Sequence, residues 1–139
     1  MKSGPIILIE DDVDDKEILE EVLKELNVSN ELIWFNNCIE AYNFLLHTSQ
    51  RPLLIISDVN LPGQNGLELK RQIDENPILR SKSIPFIFYS TSVSQHAVNI
   101  AYQEMTVQGF FQKEQNFESI KIKIKNILDY WKDCRHPNS

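Results

Sequence analysis

Ile6-Ile7-Leu8-Ile9-Glu10-Asp11-Asp12 decides the fold. Its four apolar residues show no polar alternation, which predicts a strand buried on both faces. Three acids follow directly, where such a strand must emerge toward water. The period then changes. From Asp14 to Leu26, residues Ile18, Val22 and Leu26 recur at helical spacing, and Leu19 and Leu23 widen the stripe. A doubly buried strand followed by an amphipathic helix is the unit of a parallel sheet covered by helices.

The unit recurs down the chain. Glu31 to Phe35 reads as a strand, and Ala41, Phe44 and Leu45 belong to a helix that stops before Arg51-Pro52. Leu53 to Ser57 is another buried strand. Dense turn chemistry follows at Leu61-Pro62-Gly63-Gln64-Asn65-Gly66. Leu67, Leu69 and Ile73 begin a helix that ends near Asn76-Pro77. Pro85 to Tyr89 reads as a strand, Ser92 to Glu104 as a helix, and Gly109 to Gln112 as a short strand. Ile120 to Lys125 alternates with period two. Over a longer window, however, Phe117, Ile120, Ile124, Ile127, Leu128 and Trp131 fall on one helical stripe, which leaves Ile122 on the outer face. The expectation is α/β: five strand–helix units in one domain over residues 1–139, with a core from about 5 to 131 and a frayed polar tail at 132–139.

Composition narrows the function. The 139 residues carry a net charge of −6, which argues against a general nucleic-acid binder. Four glycines, Gly4, Gly63, Gly66 and Gly109, cannot form a dinucleotide fingerprint or a P-loop. Cys38 and Cys134 are too few for a disulfide framework and predict free thiols in the cytoplasm. The apolar run Pro5–Ile9 is too short for a signal sequence, and no later run predicts a membrane span. His47, His96 and His136 have no ligand or triad spacing and read as surface residues. The acids are concentrated: nine of them lie between Glu10 and Glu25, against two bases. Those from Asp14 onward read as a solvated helix face, with Asp14 or Asp15 as the helix N-cap.

Open parallel sheets bind ligands at the carboxyl ends of their strands. Those ends hold Glu10-Asp11-Asp12, Asp58, Ser90-Thr91 and Lys113. Two carboxylates ~4 Å apart repel by about 4 kcal/mol at an effective dielectric of 20, so the cluster calls for a proton or a cation. Oxygen-only donors without nearby Cys or His favour Mg²⁺ over Zn²⁺. Lys113 adds a point charge suited to phosphate, and Ser90 a hydroxyl. Metal, cation and hydroxyl around one aspartate are what phosphoryl transfer to a carboxylate requires, with Asp58 as nucleophile.

On these residues the chain resembles the receiver domain of bacterial two-component response regulators, over roughly residues 5–131. The motifs are Ile-Leu-Ile-Glu10-Asp11-Asp12, Ile-Ser-Asp58-Val-Asn60-Leu-Pro62-Gly63, Phe-Tyr-Ser90-Thr91 and Gly109-Phe110-Phe-Gln-Lys113. The resemblance implies a flavodoxin-like (βα)5 three-layer sandwich with strand order 2-1-3-4-5. It implies that Asp58 accepts a phosphoryl group from a sensor histidine kinase or histidine phosphotransfer protein. Asp11 would ligate Mg²⁺ directly, Glu10 through water and Asn60 through its backbone carbonyl, with Asp58 in the same metal site and Asp12 as the substitute if the register shifts by one. Ser90, Phe110 and Lys113 take the switch hydroxyl, switch aromatic and lysine positions. Asn60 and Ser92 occupy positions that tune phosphoryl lifetime. The family's usual proline after the lysine is Glu114 here. That departure, with Arg51-Pro52 and Asn76-Pro77, resembles the stand-alone regulators of bacterial phytochromes. The implied output is an unknown downstream protein, or a homodimer, at the face of the fourth helix, fifth strand and last helix.

Three rivals share features with this reading. A haloacid-dehalogenase-type phosphatase needs an acid where Asn60 stands. An FMN carrier needs Ser, Thr and Gly after the first strand. A degenerate receiver, used as a phosphorylation-independent interaction module, would not need Glu10, Asp11, Asp58 and Lys113 together.

Overall fold

The computed structural model describes residues 2–91 and 93–138. In chain order the elements are β1 (Ile6–Ile9), α1 (Val13–Glu25), β2 (Leu32–Phe35), α2 (Cys38–His47), β3 (Leu54–Ser57), α3 (Gly66–Glu75), α4 (Pro77–Lys82), β4 (Phe86–Ser90), α5 (Gln95–Glu104), β5 (Gly109–Gln112) and α6 (Phe117–Asp133). The five strands form one parallel sheet of order β2-β1-β3-β4-β5, as expected. Ile6–Ile9 pairs with both Leu32–Phe35 and Leu54–Ser57, so β1 is an interior strand, and it carries no alternation because helices cover both its faces.

The pleat sends Ile6 and Leu8 to one face and Ile7 and Ile9 to the other. On the first face α1 and α6 pack through Leu19, Val22, Leu23, Ile124 and Trp131. On the second, Cys38, Ala41, Leu45, Leu69 and Ala101 of α2, α3 and α5 do the same, with Leu79 of α4. The helical stripe of α6 prevails over its period-two stretch, and Ile122 is 60% exposed.

Several expectations change. Pro77 does not end the helical path. Asn76 caps a second short helix, α4, by accepting from the amides of Ile78 and Leu79, with Pro77 at a position where its missing N–H costs nothing. The family's fourth and last helices are therefore α5 and α6 here. Helix α5 begins at Gln95 with Ser94 as its N-cap, and Ser92 lies outside the described residues. Gly66 opens α3 because a Cβ there would stand 2.1 Å from the Asp58 carbonyl oxygen. That contact ties the turn to the residue after β3.

The tail is the largest correction. Helix α6 runs to Asp133, and residues 134–138 are docked rather than frayed. His136, expected at the surface, is 1% exposed. Its Nε2 bonds the Leu53 carbonyl at 2.8 Å, and its Nδ1 accepts the Asn138 amide at 3.0 Å. The ring also lies edge-on to Trp131. Asn138 donates its side-chain amide to the Lys82 carbonyl, at the end of α4.

Burial holds the His136 pKa below its ordinary value. The folded chain therefore favours neutral imidazole. The stability this contributes is complete above the unfolded value near 6.5 and is lost as pH falls toward the folded value. His136→Ala is expected to cost ~1–3 kcal/mol at pH 8. Melts at pH 8 and pH 5 should show the gap to wild type shrinking on acidification. A constant gap excludes the buried neutral ring as its source.

Candidate functional site

The carboxyl ends of β1, β3, β4 and β5 meet above the sheet. Backbone pairing sets this up: the Asp58 amide donates to the Ile9 carbonyl at 3.0 Å, and the Lys113 amide to the Ser90 carbonyl at 2.8 Å. Glu10 is fixed at both main-chain groups. Its amide donates to the Phe35 carbonyl, and its carbonyl accepts the Trp34 indole N–H at 2.7 Å.

Asp58 is 8% exposed, and each of its carboxylate oxygens has its own donors. Oδ1 accepts the Ser90 hydroxyl at 2.8 Å and the Asn60 amide at 3.2 Å. Oδ2 accepts Lys113 Nζ at 3.0 Å. Lys113 also donates to Glu10 and to Asp15, the latter at 2.9 Å. Ser90 and Lys113 thus already touch the aspartate. Phe110 is half-buried, its ring tilted against Phe88 at 5.4 Å.

The electrostatics follow from burial. Removal from water raises the Glu10 carboxyl to about 7, against the pull of Lys113, and the Asp58 charge adds to the rise. For Lys113, burial works against the charge. Hydrogen bonds to Glu10 and Asp15, with the charges of Glu10 and Asp58, outweigh it and hold the ammonium above its ordinary range.

Glu10, Asp11 and Asp58 each place a carboxylate oxygen within 4.8 Å of the others. Glu10 and Asp58 are buried, and Asp11 is exposed at the mouth. An all-oxygen donor set with one open side fits a hard divalent ion that keeps part of its water. Asp12 does not join this group. It is the N-cap of α1, accepting from the amides of Asp14 and Asp15, so neither Asp14 nor Asp15 fills that role.

The sequence places Asp15 on the solvated helix face, and the structure turns it to Lys113. The signal was available in principle. A cap at Asp12 starts the helix two or three residues earlier and puts Asp15 in the first turn, beside the strand ends. Where the family has proline, Glu114 pairs with Lys123 of α6 at 2.9 Å. Lys121 and Lys125 are also paired, with Glu25 and Asp129, so the lysine row of α6 is not a free basic patch.

Comparisons with known proteins identify the fold and the family. The family model for the response regulator receiver domain matches residues 6–125. Response regulator Rcp1 of Synechocystis is 34% identical over 131 residues, covering 91% of this chain and 87% of Rcp1. The phosphorylated cyanobacterial phytochrome response regulator RcpA superposes with a TM-score of 0.86 at 27% identity, covering 96% of this chain and 98% of RcpA. The Mn²⁺-bound form of Rcp1 does so with 0.84 at 31%, covering 96% and 99%. With the family model matching most of the chain and Rcp1 34% identical along it, the chain belongs to the response regulator receiver domain family.

Proposed function

We propose that this chain is a phosphorylatable receiver whose phosphoacceptor is Asp58. The observation that carries the proposal is the pre-organisation of that one carboxylate. Ser90 addresses one of its oxygens and Lys113 the other, beside two further acids. The chemistry is a displacement. An Asp58 oxygen bonds to phosphorus while the bond from phosphorus to the donor, a phosphohistidine nitrogen or the acyl oxygen of acetyl phosphate, breaks. The donor leaves with that electron pair. Loading adds about one negative charge and three acceptor oxygens at Asp58.

Lys113 and Ser90 need not move far, because their donors already point at the carboxylate the phosphoryl group joins. Glu10, Asp11 and Asp58, with the Asn60 carbonyl, would hold Mg²⁺. When bound, that ion neutralises charge on the transferring oxygens. Phe110 would report the change to the face of α5, β5 and α6. A downstream protein or a second copy would read it there. The likeness to Rcp1 and RcpA supports a phytochrome-type sensor histidine kinase, or a phosphotransfer protein, as the donor. No described helix is long and apolar enough to cross a membrane. Apart from taking up and losing its own phosphoryl group, the chain turns over no substrate in this reading.

Intact mass spectrometry after acetyl phosphate treatment tests it. One phosphoryl adduct is expected with Mg²⁺ and none without. A chain that binds Mg²⁺ normally yet stays unmodified would instead be an interaction module independent of phosphorylation.

A further inference from the structure

A lysine ammonium has three donor hydrogens, and all three on Lys113 are taken. Glu10 and Asp58, at the strand ends, accept two. The third goes to Asp15 Oδ2 at 2.9 Å, and Asp15 comes from α1. Its amide donates to the Asp12 carboxylate at 3.3 Å, so the first turn holds its backbone in place. The Asp15 side chain is 37% exposed, against 4% for Glu10 and 10% for Asp58, while Lys113 itself is only 9% exposed. Of the three carboxylates on the ammonium, Asp15 is the one that stands between it and water.

We propose that Asp15 is a positioning residue for phosphoryl loading. It pins Lys113 over Asp58 and brings a further carboxylate to the pocket, strengthening cation binding and opposing the charge that loading adds. The inference rests on Asp58 being the phosphoacceptor. Asp15 and Asp58 share Lys113 Nζ, so their bonded oxygens lie within about 6 Å of each other. At that range a carboxylate attracts a divalent cation and repels an added anion, and the water on the Asp15 side weakens both effects. Loss of its charge must move the two affinities in opposite directions, which a loss of packing would not do.

The test is calorimetric titration of Asp15→Asn, which keeps shape and an acceptor for Lys113. Mg²⁺ affinity is expected to fall about threefold, and beryllofluoride affinity at saturating Mg²⁺ to rise about threefold, the range for a partly exposed charge. Asp15→Glu should return both to within about twofold of wild type. If wild type takes beryllofluoride and the two affinities of Asp15→Asn do not move apart, the Asp15 role is overturned and the Asp58 reading stands. If wild type takes up neither beryllofluoride nor phosphoryl, both fall.

Discussion

Asp58→Asn is expected to abolish the phosphoryl adduct, with an initial rate from acetyl phosphate and Mg²⁺ at least ~10³-fold below wild type, because an amide oxygen is a poor nucleophile. The fold should not suffer. The amide oxygen can still accept from Ser90 or Lys113, and one carboxylate leaves a pocket where Glu10, Asp11 and Asp58 lie within 4.8 Å. Relief of like-charge repulsion should leave the metal-free melting temperature equal to or above that of wild type. Intact mass and a thermal melt check the two halves separately. An adduct that survives on Asp58→Asn would move the acceptor to another acid of the pocket, with Glu10, Asp11 and Asp15 as the candidates.

Lys113→Ala should fail in the opposite way. It leaves Glu10 and Asp58 buried with no cation, and removing one partner of a buried pair costs ~3–5 kcal/mol. Glu10 is already raised to about 7 by burial and can take up a proton, so the lower end, ~3 kcal/mol, is expected. For a chain of this size that is about 10 °C of melting temperature. Without Lys113 the Glu10 pKa rises further, so the folded variant holds a proton that the unfolded chain gives up. The loss should therefore be larger at pH 8 than at pH 6, and millimolar Mg²⁺ should recover part of it. Loading should fall about 100-fold, since Lys113 would no longer meet the charge that develops on the phosphoryl oxygens. A variant that melts and loads like wild type would make Lys113 an ordinary surface lysine.

The strands and helices were legible because their signals are local. Ile6–Ile9 and Leu54–Ile56 are apolar throughout because helices cover both faces of the sheet. The stripe from Phe117 to Trp131 needed a window longer than the misleading alternation at Ile120–Lys125. Glu10, Asp11, Asp58, Ser90 and Lys113 were legible as a group because the ends of parallel strands share one edge. Boundaries set by caps were less so. Asp12, Asp14 and Asp15 are all plausible N-caps by residue type, and only the hydrogen bonds to the Asp12 carboxylate distinguish them. His136 gave no signal, because a lone histidine in a polar tail has no periodicity to read.

The sequence by itself determined the alternation of five strands with helices, their parallel pairing and the strand ends that carry the chemistry. These follow from burial patterns and turn residues within a few positions of each other, whereas helix α4 appeared only in the structure. Only the tertiary structure decided which side chains answer one another. Lys113 meets Glu10 and Asp15 across 103 and 98 residues of chain. His136 meets the Leu53 carbonyl across 83. Such pairs form because a buried charge or donor must find a partner through space, wherever the fold leaves one within reach. Local spacing records that a residue is polar, and the packed interior decides whether it faces water or a partner.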